Sequence, residues 1–135
     1  MELDPSAFVA DPELVALLEK KATLLDCASD RVLFLQGDPP VGLYLLRSGT
    51  ARLKMESTDG TPIVSITVSA GSLLGLPGLL ANQPFTLAAI AEKGAVVGFI
   101  PRDEFTTLMQ NEPMMALKML AVLAAEVRSA RRAIS

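Results

Sequence analysis

ARLKMESTDGTPIVSITV, residues 51–68, decides the class of fold. Before the turn, Ala51, Leu53 and Met55 alternate with Arg52, Lys54 and Glu56; after it, Val64, Ile66 and Val68 alternate with Ser65 and Thr67. A period of two places one face of each segment in a core and the other in water. Asp59-Gly60 sits between the two arms. That pair favours a tight hairpin turn because both residues accept left-handed backbone. On either side lie further short runs rich in Val, Leu, Ile and Thr: residues 22–27, 31–35, 43–46, 86–91 and 95–100. They are separated by Ser29-Asp30, Gln36-Gly37-Asp38-Pro39-Pro40, Ser48-Gly49, Ala70-Gly71 and Lys93-Gly94. About eight strands punctuated this regularly predict a mainly β fold with flanking helices. The expected architecture is a jelly-roll barrel, a double-stranded β-helix, over residues 22–100.

The helical period of 3.6 appears only at the two ends of the chain. Asp11-Pro12-Glu13 is a helix start, with an N-cap, a proline in the first turn and an acidic residue near the positive dipole end. Leu14, Leu17 and Leu18 give it an apolar face, predicting a helix over about 12–20. Phe8 and Val9 fit a preceding turn. Pro101-Arg102-Asp103-Glu104-Phe105 opens a second helix carrying Phe105, Leu108 and Met109, and Asn111 is the expected cap of a third. From Pro113 onward no glycine or proline interrupts the sequence. Ala116, Leu120, Leu123, Val127, Ala130 and Ile134 alternate steps of four and three, a heptad seam of nearly three repeats. A second set, Met115, Met119 and Val122, is expected to face the barrel. The first then faces a partner, and a homodimer through this helix is expected. The alternative is a helix packed wholly on its own barrel. Lys118, Glu126, Arg128, Arg131 and Arg132 lie off the seam.

Composition narrows the function. With 135 residues the chain is one domain by size. Half of its residues are hydrophobic and its net charge is −3, so no basic balance draws it to nucleic acid or an anionic membrane. Neither a secretory leader nor a membrane span is visible, and a cytoplasmic location is expected. Histidine is absent altogether. That removes the commonest metal ligand and the commonest general base, so no metal, cofactor or catalytic residue is predicted. The single cysteine, Cys27, falls in an apolar run beside Asp26 and reads as a core residue rather than a reactive thiol.

Residues 60–91 contain no Lys, Arg, Asp or Glu. Within them, Gly75-Leu76-Pro77-Gly78 predicts a short helix whose start faces a pocket. The glycines permit close backbone approach, and Pro77 suits the first helical position.

The run Val32-Leu33-Phe34-Leu35-Gln36-Gly37-Asp38, followed by Leu43-Tyr44-Leu45-Leu46-Arg47-Ser48-Gly49, resembles the cyclic nucleotide-binding domain family. That family includes the sensor half of catabolite-activator-type regulators. Ala70-Gly71-Ser72-Leu73-Leu74-Gly75 is similar to the family's strand into its phosphate-binding cassette, and the resemblance covers nearly the whole chain. It implies a ligand site in which a glycine–glutamate pair begins a short helix and an arginine, followed by Ser or Thr, pairs with the cyclic phosphate. Carried onto this chain, the glycine is Gly75 and the hydroxyl residue is Thr86. The glutamate position holds Leu76 and the arginine position holds Phe85. The cassette is therefore degenerate, and binding of cyclic AMP or cyclic GMP in the usual mode is not expected. The candidate pocket residues are Gly75, Leu76, Pro77, Gly78, Leu79, Phe85, Thr86 and Leu87. Two readings follow. The pocket takes a small apolar or weakly polar ligand and passes its occupancy to the last helix, or Leu76, Leu79, Phe85 and Leu87 fill it and the domain is a dimerising or docking scaffold. The chain as given stops at Ser135 without the helix-turn-helix of the regulators. No nucleic-acid contact of its own is expected, and it reads either as a stand-alone module or as the sensor fragment of such a regulator.

Overall fold

The structure, a computed structural model, describes Met1–Ile134. A 3-10 turn at Pro5–Phe8 leads into helix α1 (Pro12–Glu19). Strands β1 (Thr23–Asp26), β2 (Arg31–Phe34), β3 (Gly42–Ser48), β4 (Thr50–Glu56), β5 (Pro62–Ser69) and β6 (Leu73–Leu74) follow. Helix α2 (Leu76–Ala81) then precedes β7 (Ala88–Ala91) and β8 (Val96–Pro101), and α3 (Arg102–Asn111) and α4 (Pro113–Ile134) end the chain. The strands form two antiparallel four-stranded sheets, ordered β1-β8-β3-β6 and β2-β7-β4-β5. This is the jelly-roll arrangement expected from the sequence.

The hairpin read first is β4–β5, with Ala51 opposite Val68, Leu53 opposite Ile66 and Met55 opposite Val64. Its turn is closed by Asp59, whose carboxylate accepts from the Ser57 hydroxyl and the Thr61 backbone N–H, and by Gly60 at φ +85°. Those donors stabilise the charged form and hold the Asp59 carboxyl down at about 2.

Strand β3 is the central divider. Leu43 and Leu45 are buried on one side in a cluster with Leu14, Leu18, Ile100, Phe105 and Met119, against the helices. Leu46 is buried on the other side with Phe34, Ala51, Leu53, Phe85 and Val97, between the sheets, and Tyr44 packs against that cluster. A strand covered on both faces needs a nearly continuous apolar run, and Gly42-Leu43-Tyr44-Leu45-Leu46 is one. Cys27 is buried in the between-sheet core. Met119 and Val122 are buried and Met115 packs beside them, so this set faces the barrel as expected.

The chain ends meet. The Asp4 backbone N–H donates to Ser129 Oγ at 2.6 Å, tying the N-terminal segment to α4. Lys118 Nζ lies 3.2 Å from Asp11 Oδ2, joining α4 to the cap of α1.

Several boundaries differ from expectation, each for a local reason. The strand that the resemblance implies within Ala70–Gly75 is the two-residue β6, too short to show a period of its own. The strand expected from Thr86 begins at Ala88. Before it, Phe85 exchanges backbone bonds with the Gly37-Asp38 turn, donating to Asp38 O at 3.0 Å and accepting from Gly37 N at 2.8 Å. Pro77 occupies the second, not the first, position of α2, because Gly75 is the N-cap. Asn111 ends α3 rather than capping α4; the Glu112 carbonyl accepts the first α4 bonds, from Met115 and Ala116.

Candidate functional site

A cavity of about 340 Å³ opens beside α2, between the inner face of the β4–β5 sheet and α4. Leu53, Met55 and Val64 line it from that sheet, and Phe34, Leu74 and Phe8 close it from the core side. Met1 and Leu3 contribute from the N-terminal segment, and Leu123, Glu126, Val127 and Ala130 contribute from α4. Of the eight pocket residues read from the sequence, Gly75, Pro77, Gly78, Phe85, Thr86 and Leu87 line this space. Leu76 and Leu79 do not. They are buried in the helix-side cluster with Leu43, Ile100 and Phe105, and anchor α2 there.

The cassette glycines serve a ring. Phe85 stacks on Phe34 with ring centroids 4.0 Å apart and planes 27° from parallel. Gly75 has φ +89°, and a Cβ placed there would meet the Phe85 ring at 2.7 Å. A Cβ on Gly78 would meet the same ring and the Gln83 carbonyl at 3.0 Å. The close approach foreseen at both glycines is thus real, and an aromatic side chain occupies it. Phe85 does not fill the cavity; it forms one wall.

The electrostatics of the space are one-sided. No Lys or Arg lines it, and Glu126 is its one lining residue with an ionisable side chain; Met1 adds the chain's α-amino group. Glu126 Oε2 is withdrawn from solvent and has no hydrogen-bond partner among the described residues. Burial pushes the carboxyl up to about 8, since a charge is costly in a medium that cannot solvate it. Glu126 lies off the heptad seam, as the sequence indicates, but on the cavity wall rather than in open solvent. Extending Met115, Met119 and Val122 by further steps of four and three reaches Glu126 and Ser129. Ser129 is buried, and Glu126 lines the cavity. The signal was present, but it ran through polar residues.

The expected seam on α4 splits. Leu123 and Ala130 line the cavity and are half-buried, and Ala116 is also half-buried. Leu120 and Ile134 are exposed, while Val127 both lines the cavity and is 43% exposed. Among the described residues no group of three or more His, Cys, Asp or Glu is placed to hold a metal.

The sequence model of the cyclic nucleotide-binding domain matches residues 25–112. The acetyltransferase Pat of Mycolicibacterium smegmatis is 30% identical over 99 residues, covering 73% of this chain and 29% of that protein. The cyclic AMP receptor protein of Thermus thermophilus is 29% identical over 98 residues, covering 73% of this chain and 45% of that protein. The chain therefore spans less than half the length of these two curated relatives. The crystal structure of the Thermus thermophilus catabolite activator protein superimposes with a TM-score of 0.80 at 25% identity, covering 97% of this chain and 62% of that one.

The Glu126 environment makes stability depend on pH. The unfolded carboxyl ionises near its ordinary value of 4.5, whereas the folded one holds its proton to about 8. Folding is therefore progressively opposed as pH rises between those values, and the penalty is constant above them. Asp4, Asp11 and Asp59 are shifted downward by hydrogen bonds, so their contribution is lost only at more acid pH. Urea denaturation is expected to show stability falling from about pH 5 to about pH 8. Glu126→Met is expected to remove most of that slope and to add about 1–3 kcal/mol at pH 8, the usual cost of an unsatisfied buried polar group. An unchanged slope contradicts the burial of this carboxyl.

Proposed function

This chain belongs to the cyclic nucleotide-binding domain family, and we propose that it is a non-catalytic sensor module for a small apolar or weakly polar ligand. The observation that carries this reading is the cavity itself. It lies where the resemblance puts the ligand, its walls are mainly hydrocarbon, and no side-chain cation lines it. A volume of about 340 Å³ is within the range of small-molecule sites. The scaffold reading, with the pocket filled by its own side chains, is less favoured because Leu76 and Leu79 are packed elsewhere.

A cyclic nucleotide would have to enter without its usual anchors. Each hydrogen bond to a charged group contributes about 1.5–3 kcal/mol net. Losing two, at Leu76 and Phe85, weakens binding by roughly two to four decades. The Phe34–Phe85 stack also offers nothing to a phosphate.

Four residues of α4 form one wall, so occupancy is coupled to that helix. A ligand that favours one position of α4 shifts its population by its differential affinity for the two positions. We assign the module no chemistry of its own: there is no histidine, and Cys27 is buried. A cytoplasmic location is part of the same proposal. Its support is the acidic composition and the lack, among the described residues, of any helix long and apolar enough to cross a membrane. Titration calorimetry is expected to give no affinity of micromolar order for cyclic AMP or cyclic GMP, while an apolar fluorophore such as 1-anilinonaphthalene-8-sulfonamide binds and quenches on addition of small aromatic competitors. Micromolar binding of either nucleotide overturns the reading.

A second observation favours a homodimer through α4. Leu120, Val127 and Ile134 recur every seven residues and are 53%, 43% and 70% exposed, with Met114 and Leu117 exposed on the same helix. A stripe of that period suits a parallel helix partner. Sedimentation equilibrium at micromolar concentration is expected to give a dimer, and Leu120→Glu a folded monomer. A monomeric wild-type chain excludes this interface.

A further inference from the structure

We propose that the ligand of this cavity is an apolar amine, its hydrocarbon or aromatic body filling the space and its ammonium group seated on the carboxylate of Glu126. The proposal rests on the cavity being a ligand site and names the chemistry of its occupant. Glu126 Oε2 is buried without a donor, on a residue that lines the empty space. Buried acceptors are nearly always satisfied in folded proteins, and among the described residues no group satisfies this one. A donor carried by the occupant does so once the Glu126 side chain turns its carboxyl toward the cavity.

Charge selects among possible donors. The residues one turn from Glu126 on α4 are Val122, Leu123, Ser129 and Ala130, none charged. From the N-terminal segment, Met1 brings the α-amino group. Glu2, Asp4, Arg128 and Arg132 line a separate groove between that segment and α4. From the sheets and α2 the lining residues are uncharged, with Thr86 supplying a hydroxyl. An anionic ligand therefore meets an acid with no side-chain base in the cavity. An alcohol gives a neutral hydrogen bond. An ammonium gives a charge-assisted bond inside a poorly solvating space, where such bonds are strongest.

The proton balance is explicit. Because burial keeps the free carboxyl protonated at neutral pH, binding converts Glu–COOH and R–NH3⁺ into Glu–COO⁻ paired with R–NH3⁺, and one proton passes to the buffer. Neither an alcohol nor a carboxylate ligand of the same body releases one.

The test compares three ligands with one aromatic body: 2-(1-naphthyl)ethylamine, 2-(1-naphthyl)ethanol and 1-naphthylacetate. Each is titrated into the full chain at pH 7 by calorimetry in buffers of different ionisation enthalpy. The amine is expected to bind about tenfold or more tighter than the alcohol, the acetate weakest, with close to one proton released by the amine alone. In Glu126→Gln the amine is expected to fall to the alcohol's affinity without proton release, while the alcohol changes by less than about threefold. Alcohol binding as tight as the amine, tightest binding of the acetate, or an amine unaffected by Glu126→Gln overturns the amine proposal and leaves the cavity reading standing. Failure of all three to bind removes the cavity reading and this proposal with it.

Discussion

The stack of Phe85 on Phe34 is the contact on which the site depends. At 4.0 Å between centroids, it is a favourable aromatic pair, contributing about 0.5–1.5 kcal/mol beyond the area it buries. Its larger effect is positional. Gly75 and Gly78 have no Cβ because the Phe85 ring needs the room. The Gly37-Asp38 turn holds the Phe85 backbone by two hydrogen bonds. The ring therefore has one place to be, and a wall of the cavity is fixed there. Where the resemblance puts a guanidinium reaching for a phosphate, this chain has a hydrocarbon surface.

A second constraint comes from β3. Because its two faces serve two cores, the sheet is braced by α1, α3 and α4 on one side and by the opposite sheet on the other. Helix α4 joins both tasks. Its first half is buried against the helix-side core through Met119 and Val122, and its second half covers the cavity through Leu123, Glu126 and Ala130. The helix that walls the cavity is thus the one that the core holds at its other end. Val127 both touches the cavity and is exposed at the surface.

Most of the fold was legible because its signals are local. Alternation around Asp59-Gly60, the Asp11 cap and the punctuation between strands each depend on a few adjacent residues. The glycine-rich start of α2 was legible too, and six of the eight predicted pocket residues line the cavity. Leu76 and Leu79 were misplaced because a six-residue helix has two apolar sides, and nothing local says which one faces the larger core. The remaining walls, Met1, Leu3 and Phe8 at one end and Leu123–Ala130 at the other, are far apart in sequence and meet only through tertiary contacts such as Asp4 with Ser129. Glu126 was hidden for a different reason. A carboxylate on a helix is ordinarily solvated, so composition argued against the position that spacing indicated.

A mainly hydrocarbon cavity admits a noble gas. The most direct measurement is diffraction from crystals pressurised with xenon. Xenon density is expected between Phe85, Leu53 and Leu123, within reach of no ionisable side chain except Glu126. Ordered waters bridging the cavity walls, or an anion held there with no xenon bound, would contradict a site built to grip hydrocarbon.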